Sequence, residues 1–432
     1  MLFGRRHPSH RRQRNHWRGI LRVLGPGLIT GASDDDPSGI ATYSQAGAQF
    51  GYSMTWLMLF TWPLMAAIQE ISARIGRVTG KGIAGNVREH YPRALLYPIV
   101  GMLLIANIIN LGADLGAMGD AVRLLIGGRA EIYVVGFAVA CAGLEVFSSY
   151  ERYVRLLKWL TLALFAYVAT VLVVEVPWGE VAYRTVVPQF LWQRDYALTI
   201  VAVLGTTISP YLFFWQASEE AEDERVDPAA KPLIEAPRQA RREIRRIEID
   251  TYLGMGLSNL IALCIIITTA ATLNQQGLTD IQTSEQAASA LKPIAGELAA
   301  LFFTLGIVGT GLLAIPVLAG SGAYALAETM RWPIGLGRRP RDAKAFYATI
   351  VVGTLIGVAF NFVHIDSIKA LFWTAVINGI TAVPLMVVMM IMTMQRRVMG
   401  RFTLPRPLQA IGWISTAAMT LAVATMFATW KG

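Results

Sequence analysis

Apolar residues run along this chain in blocks of about twenty, separated by short polar or basic stretches, and each block is apolar on every face. The blocks fall near 20–47, 53–75, 95–118, 131–148, 156–176, 196–217, 250–272, 298–320, 345–363, 368–394 and 408–430. Each can cross a hydrocarbon layer of about 30 Å as a helix. The pattern therefore predicts an all-α polytopic membrane protein of about eleven transmembrane helices.

Two blocks are interrupted where a spanning helix should be most apolar. The first reads LGPGLITGASDDDPSGIATYSQAG and puts Asp34, Asp35, Asp36, Pro37, Ser38 and Gly39 at mid-bilayer depth. The sixth reads ALTIVAVLGTTISPYLFFWQAS, with Gly205, Thr206, Thr207, Ser209 and Pro210 at the corresponding depth. Proline removes a helix hydrogen bond and glycine tolerates unwinding, so both spans are expected to be broken helices. The breaks fall at equivalent places in two successive five-span units, the pattern of an inverted-repeat transporter with its site at the midplane. The expected organisation is a basic cytoplasmic tail at 1–19, a first repeat (helices 1–5) at 20–176, an extracellular loop at 177–195, a second repeat (helices 6–10) at 196–394, and an eleventh helix with the C-terminus at 395–432. Within the second repeat, the mixed-charge stretch 218–249 is expected to be a solvated cytoplasmic loop.

Composition narrows the function classes. The 432 residues are 54% hydrophobic and 16% charged, against about 25% charged in soluble domains. No separate soluble catalytic domain fits, because the longest polar stretch, Ser218 to Asp250, has no apolar periodicity. The net charge of +9 does not indicate nucleic-acid binding, since the basic residues sit at the ends of apolar blocks. With the N-terminus placed in the cytoplasm, all but seven of the 38 Lys and Arg lie on the cytoplasmic side, and a plasma (inner) membrane location is expected. Cys141 and Cys264 both lie inside apolar blocks, so no disulfide framework is indicated.

A carboxylate inside a bilayer needs a partner, a proton, a bound cation or water. Three in a row with no fixed cation beside them imply a cation from outside the chain. Asp36, directly before Pro37, is expected to be a direct ligand, while Asp34 and Asp35 either line the approach, Asp35 as a further metal candidate, or are solvated at a mouth. The opposing break offers hydroxyls and freed carbonyls from Thr206, Thr207 and Ser209, and no His, Cys or Met. Hard oxygen donors suit Mg²⁺, Ca²⁺ or Mn²⁺, and a site that keeps several waters suits Mg²⁺. The metal is then cargo and no cofactor is called for. The expected partners are the divalent ion and the lipid bilayer, with no nucleic acid and no obligatory protein partner, the chain acting as a monomer. Asn107, Asn110 and Asp114 fall at helical spacing in the third span, where a structural hydrogen-bond network is the expected reading. Two alternatives stand beside this one: an amino-acid or organic-cation transporter of the same fold, and an intramembrane enzyme pairing Asp36 with Asp114, for which no catalytic motif is present.

GPG at 25–27, DPSG at 36–39, AQFGY at 48–52 and IQEISARIGRVTGKG at 68–82 resemble the Nramp divalent-metal transporters, across essentially the whole chain. The resemblance implies the amino acid–polyamine–cation type, LeuT-like fold of two inverted five-helix repeats. In that family the first broken helix carries Asp-Pro-Gly-Asn and the sixth Met-Pro-His, with a backbone carbonyl three residues before the Met. The resemblance thus places the metal-binding Asp at Asp36, the Asn at Gly39, the carbonyl at Thr206 and the Met at Ser209, and the soft ligand is missing. Together with ANIINLGADLGAM at 106–118, that departure resembles the Nramp-related magnesium transporter branch. The family's His after the sixth-span proline is Tyr211 here, a further His is Gln216, and the acidic residue three after Asp114 is Ala117. The resemblance therefore implies transport of Mg²⁺, and Mn²⁺ as well, by alternating access without obligatory proton coupling. Asp34, Asp114, Tyr211 and Gln216 are the coupling or gating candidates, and Asn378 in the tenth span lies within one position of a family Gln that can approach the metal. A proton-coupled Mn²⁺ or transition-metal transporter is the alternative within the family.

Overall fold

The computed structural model describes residues 30–31, 33–147, 164–226, 229–363 and 366–430. The basic tail, the GPG motif and the junction between the fourth and fifth apolar blocks lie outside them. The described residues are helical, with no strand among them. The principal helices are α1 (Pro37–Phe50), α2 (Thr55–Thr79), α3 (Ile83–His90), α4 (Arg93–Ile126), α5 (Ala130–Phe147), α6 (Phe165–Val173), α7 (Trp178–Val186), α8 (Arg194–Thr207), α9 (Pro210–Val226), α10 (Ala240–Thr272), α11 (Ala299–Met330), α12 (Lys344–Phe360), α13 (Ser367–Thr393) and α14 (Arg406–Trp430). Among the described residues six helical stretches are long and apolar enough to cross a membrane.

The two interruptions occur where the sequence places them. Asp36, extended at φ −65° and ψ 171°, separates α1 from the helical turn before it, and Pro37 occupies the first helical position, where a missing N–H costs nothing. The second break lies at Ile208 and Ser209, between the end of α8 and Pro210 at the start of α9. These broken elements form the centre of the bundle, and every residue from Val201 to Ser218 is buried. α1 packs on α10, α13 and α8, and α8 packs on α13.

Small residues let these backbones approach, as membrane helix packing requires. A Cβ at Gly205 would stand 2.0 Å from the Ala375 carbonyl oxygen and 2.5 Å from the Gly379 nitrogen, so α8 and α13 touch backbone to backbone. At Gly76 a Cβ would stand 2.1 Å from the Ala217 carbonyl oxygen, which fixes α2 against α9 in the same way.

The end of the bundle rich in Lys and Arg is stitched by ion pairs. Glu70 and Arg74, four apart on α2, pair as their spacing suggests, with Arg74 also reaching Glu248 at 2.8 Å. Arg77 lies 3.6 Å from Glu224 and 3.4 Å from Glu243, and Arg246 bonds Glu220 and, at 3.1 Å, Glu243. These contacts join α2, α9 and α10. The stretch 218–249, expected as a solvated loop, is helical at both ends, because α9 continues to Val226 and α10 begins at Ala240. Within its acidic run, Glu220, Glu222 and Glu224 each lie against an arginine, Arg246, Arg225 and Arg77 respectively. On α11, Glu328 accepts the N–H groups of Gly82 (2.6 Å) and Gly85 (2.8 Å), capping α3 and tying it to the bundle.

Candidate metal-binding site

Asp36 is built into the start of α1. Its Oδ1 accepts from the Gly39 N–H at 2.7 Å and from the Ser38 hydroxyl at 2.6 Å, an N-cap that also aims the positive end of α1 at the carboxylate. Its Oδ2 accepts from the Asn110 amide of α4 at 3.1 Å, and the Tyr211 hydroxyl of α9 lies 3.1 Å away. The same hydroxyl is 3.1 Å from the Ser33 carbonyl, so Tyr211 bridges the two sides of the first break. The carboxylate is 1% exposed and no Lys or Arg among the described residues pairs with it.

Across from it, Pro210 has no N–H for the Thr206 carbonyl, its usual partner four residues back. The Ser209 hydroxyl takes over that task, lying 2.8 Å from the Thr206 carbonyl and 2.7 Å from that of Gly205. Thr206 and Ser209, two of the residues expected to face the ion, are thus bonded to each other. Gly39 sits directly against this wall, since a Cβ there would be 3.2 Å from Thr206 Oγ1 and 3.1 Å from the Asp34 carbonyl oxygen. The structure therefore brings Asp36, Gly39, Thr206 and Tyr211 together at the two breaks, with Ser209 bonded to Thr206. Everything they offer is carboxylate, hydroxyl or carbonyl oxygen, and among the described residues no cluster of three or more His, Cys, Asp or Glu forms a metal cage.

The other two acidic residues of the run turn elsewhere. The Ser258 hydroxyl of α10 lies 2.6 Å from Asp34 Oδ2 and 3.3 Å from Asp35 Oδ1, and Asp34 Oδ1 is buried without a hydrogen-bond partner. Asp114 is buried one turn beyond Asn110 on α4, and neither of its oxygens has a hydrogen-bond partner. Gln216 accepts the Thr30 hydroxyl and so links α9 to the turn before the first break. Asn378 is buried in α13 with its amide nitrogen unpaired and makes no hydrogen bond to Asp36. Asn107 behaves structurally, donating to the Leu318 carbonyl (2.9 Å) and the Ser321 hydroxyl (2.8 Å) of α11. Asn110, Ser38 and Ser258 enter the site without having been singled out for it. Asn110 was legible only as part of a polar helical face, and Ser258 only as a lone hydroxyl in an apolar block.

The chain matches the family described as natural resistance-associated macrophage protein-like, Nramp, over residues 27–429. It is 27% identical over 395 residues to the divalent metal cation transporter MntH of Acidiphilium cryptum, covering 85% of this chain and 87% of that protein. It is 26% identical to the MntH of Granulibacter bethesdensis, covering 94% and 87% respectively. Among solved structures, the manganese transporter of Eremococcus coleocola, in complex with an aromatic bis-isothiourea compound, superposes with a TM-score of 0.75 at 16% identity, over 98% of this chain and 90% of that one. Mhp1, a nucleobase-cation-symport-1 family transporter, superposes with a TM-score of 0.53 at 12% identity, over 95% and 92%. The fold is LeuT-like, and the chain belongs to the Nramp family, a family of metal-ion transporters and not of enzymes.

Proposed function

We propose that this chain carries divalent cations across the plasma membrane by alternating access, with Mg²⁺ as its principal cargo and Mn²⁺ as a second, and without obligatory proton cotransport. The observation that carries this reading is the donor set at the two breaks: one carboxylate, hydroxyls and carbonyls, with Ser209 where a thioether would select softer metals. A single carboxylate at the breaks, with no cluster of three or more His, Cys, Asp or Glu among the described residues, suits an ion that keeps part of its water. Asp36 supplies the charge, and Thr206 and Ser209 supply neutral oxygens. Asp34 and Asp35 line the approach beside α10, and Asn378 approaches only on rearrangement. The chain lies with its arginine-rich end in the cytoplasm. There, a membrane potential supplies about 4.6 kcal/mol per 100 mV for a divalent ion, so no proton need be coupled. Tyr211 bridges the first break and Gln216 ties α9 to the turn before it, both as hydrogen-bond partners rather than as proton carriers.

One observation favours proton-coupled Mn²⁺ transport as a second reading: Asp114 is buried with both oxygens unpaired, one turn from a residue that touches Asp36. Uptake of Mg²⁺ into sealed proteoliposomes, with internal pH recorded and the potential set by K⁺ and valinomycin, separates the two. Potential-driven Mg²⁺ uptake without acidification is expected. Metal-driven acidification would place coupling on Asp114, and Mn²⁺ uptake without Mg²⁺ uptake would overturn the cargo assignment.

A further inference from the structure

On the side of α4 away from the metal site, a groove of about 350 Å³ opens between α4, α11 and α12. Leu104, Leu318, Val352 and Ile356 line it, with Trp332 at one end. Val352 is 53% exposed and Ile356 43%, so the groove opens sideways, into the lipid that helices of this length and apolarity require. Gly322 and Gly353 hollow it out, and a Cβ at Gly353 would meet nothing within 4 Å. α12 lines the groove from Ala345 to Ile356, about 16 Å along a helix, close to half of a hydrocarbon core about 30 Å thick. The groove thus runs about the depth of one leaflet, from the basic end of the bundle to the level of Leu111.

At its mouth the chain turns from α11 to α12 through residues 331–344. This segment carries Arg331, Arg338, Arg339, Arg341 and Lys344 against a single acid, Asp342. All five basic side chains are exposed, and among the described residues none of them forms an ion pair. A one-leaflet apolar groove beneath a concentrated, unpaired positive charge is complementary to one amphiphile.

We propose that this groove binds a single anionic phospholipid of the cytoplasmic leaflet, with one acyl chain along α12 and the phosphate against the 331–344 segment. A zwitterionic lipid would fill the groove but leave the charge unmatched. The proposal rests on the membrane-spanning fold and is independent of which ion is carried.

Native mass spectrometry tests it, on the full chain released from vesicles of equal phosphatidylglycerol and phosphatidylcholine with matched chains. One phosphatidylglycerol per chain is expected to stay bound. Gly353→Leu puts a side chain into the groove without a backbone clash and is expected to lower retention of both lipids about tenfold. The triple substitution R338Q, R339Q and R341Q leaves the groove intact and is expected to lower phosphatidylglycerol retention about fivefold per charge, with phosphatidylcholine unchanged. Three results would overturn the proposal: no retained lipid in the unsubstituted chain, undiminished retention in a folded Gly353→Leu variant, or an unaltered lipid preference in the triple variant.

Discussion

Replacing Asp36 by asparagine removes the charge of the site while keeping most of its frame. The amide oxygen still accepts from Gly39 and Ser38, which hold Oδ1 at 2.7 and 2.6 Å, and asparagine is as good an N-cap as aspartate. The new NH₂ then faces Asn110 and Tyr211. Asn110 has a buried Oδ1 with no partner, which accepts once its amide turns over, and Tyr211 retains the Ser33 carbonyl at 3.1 Å. The cost in stability is therefore about 1 kcal/mol or less. The loss in cation binding is much larger. A divalent ion about 4 Å from a carboxylate gains about 8 kcal/mol at an effective dielectric of 20. Retained water and the amide dipole offset part of this, leaving a loss of about 3–5 kcal/mol, or about 10²–10⁴-fold in apparent affinity. Asp36→Ala is a poorer test, because it removes the cap and strands three donors, those of Ser38, Gly39 and Asn110, each costing about 1–3 kcal/mol when buried. The assay is Mg²⁺ uptake by proteoliposomes over a concentration series, beside thermal unfolding of the same preparation. Uptake by Asp36→Asn with the concentration dependence of the unsubstituted protein would refute the assignment of Asp36.

Three further outcomes are expected. Ser209→Met restores a soft donor at the second break and is expected to admit Cd²⁺, which competition of Cd²⁺ with Mg²⁺ uptake measures; unchanged selectivity would remove Ser209 from the ion path. Gly205→Ala drives a methyl group into the backbone of α13 and is expected to cost about 1–3 kcal/mol, seen as a lower unfolding midpoint; an unchanged midpoint would contradict the close approach of α8 and α13. Glu220→Ala leaves the largely buried Arg246 with Glu243 as its remaining carboxylate partner and is expected to cost about 1–3 kcal/mol, seen as a lower unfolding midpoint; an unchanged midpoint would contradict the role of this ion pair in joining α9 to α10.

The breaks in the first and sixth spans were legible because Asp, Pro and Gly are out of place in an apolar block, so local chemistry alone marks them. The second break falls at Ile208 and Ser209, beside the proline that causes it. Asn110 and Ser258 are different, since each is an ordinary polar residue in an apolar block. Their meaning depends on how α4 and α10 are rotated against Asp36 and Asp34, which no local pattern specifies. The acidic run of α9 misled for a related reason. Its carboxylates read as solvated only while Arg77 and Arg246 are out of view, and Arg77 lies more than a hundred residues earlier in the chain.

On the proposed assignment of Asp36, the two hydrogen bonds on its Oδ2 connect the cargo to the scaffold. Asn110 belongs to α4 and Tyr211 to α9, while the carboxylate belongs to the first break. A cation that binds Oδ2 directly must displace at least one of these donors, and doing so loosens α1 from α4 or from α9. A hydrated cation can instead insert its water between the carboxylate and the donors, which keeps the frame but widens it. In both cases the hydrogen bonds that satisfy the carboxylate are the ones that cation binding there would alter, so on this proposal occupancy changes how the broken helices are held together. That linkage needs no titrating histidine at the sixth-span proline, where Tyr211 stands.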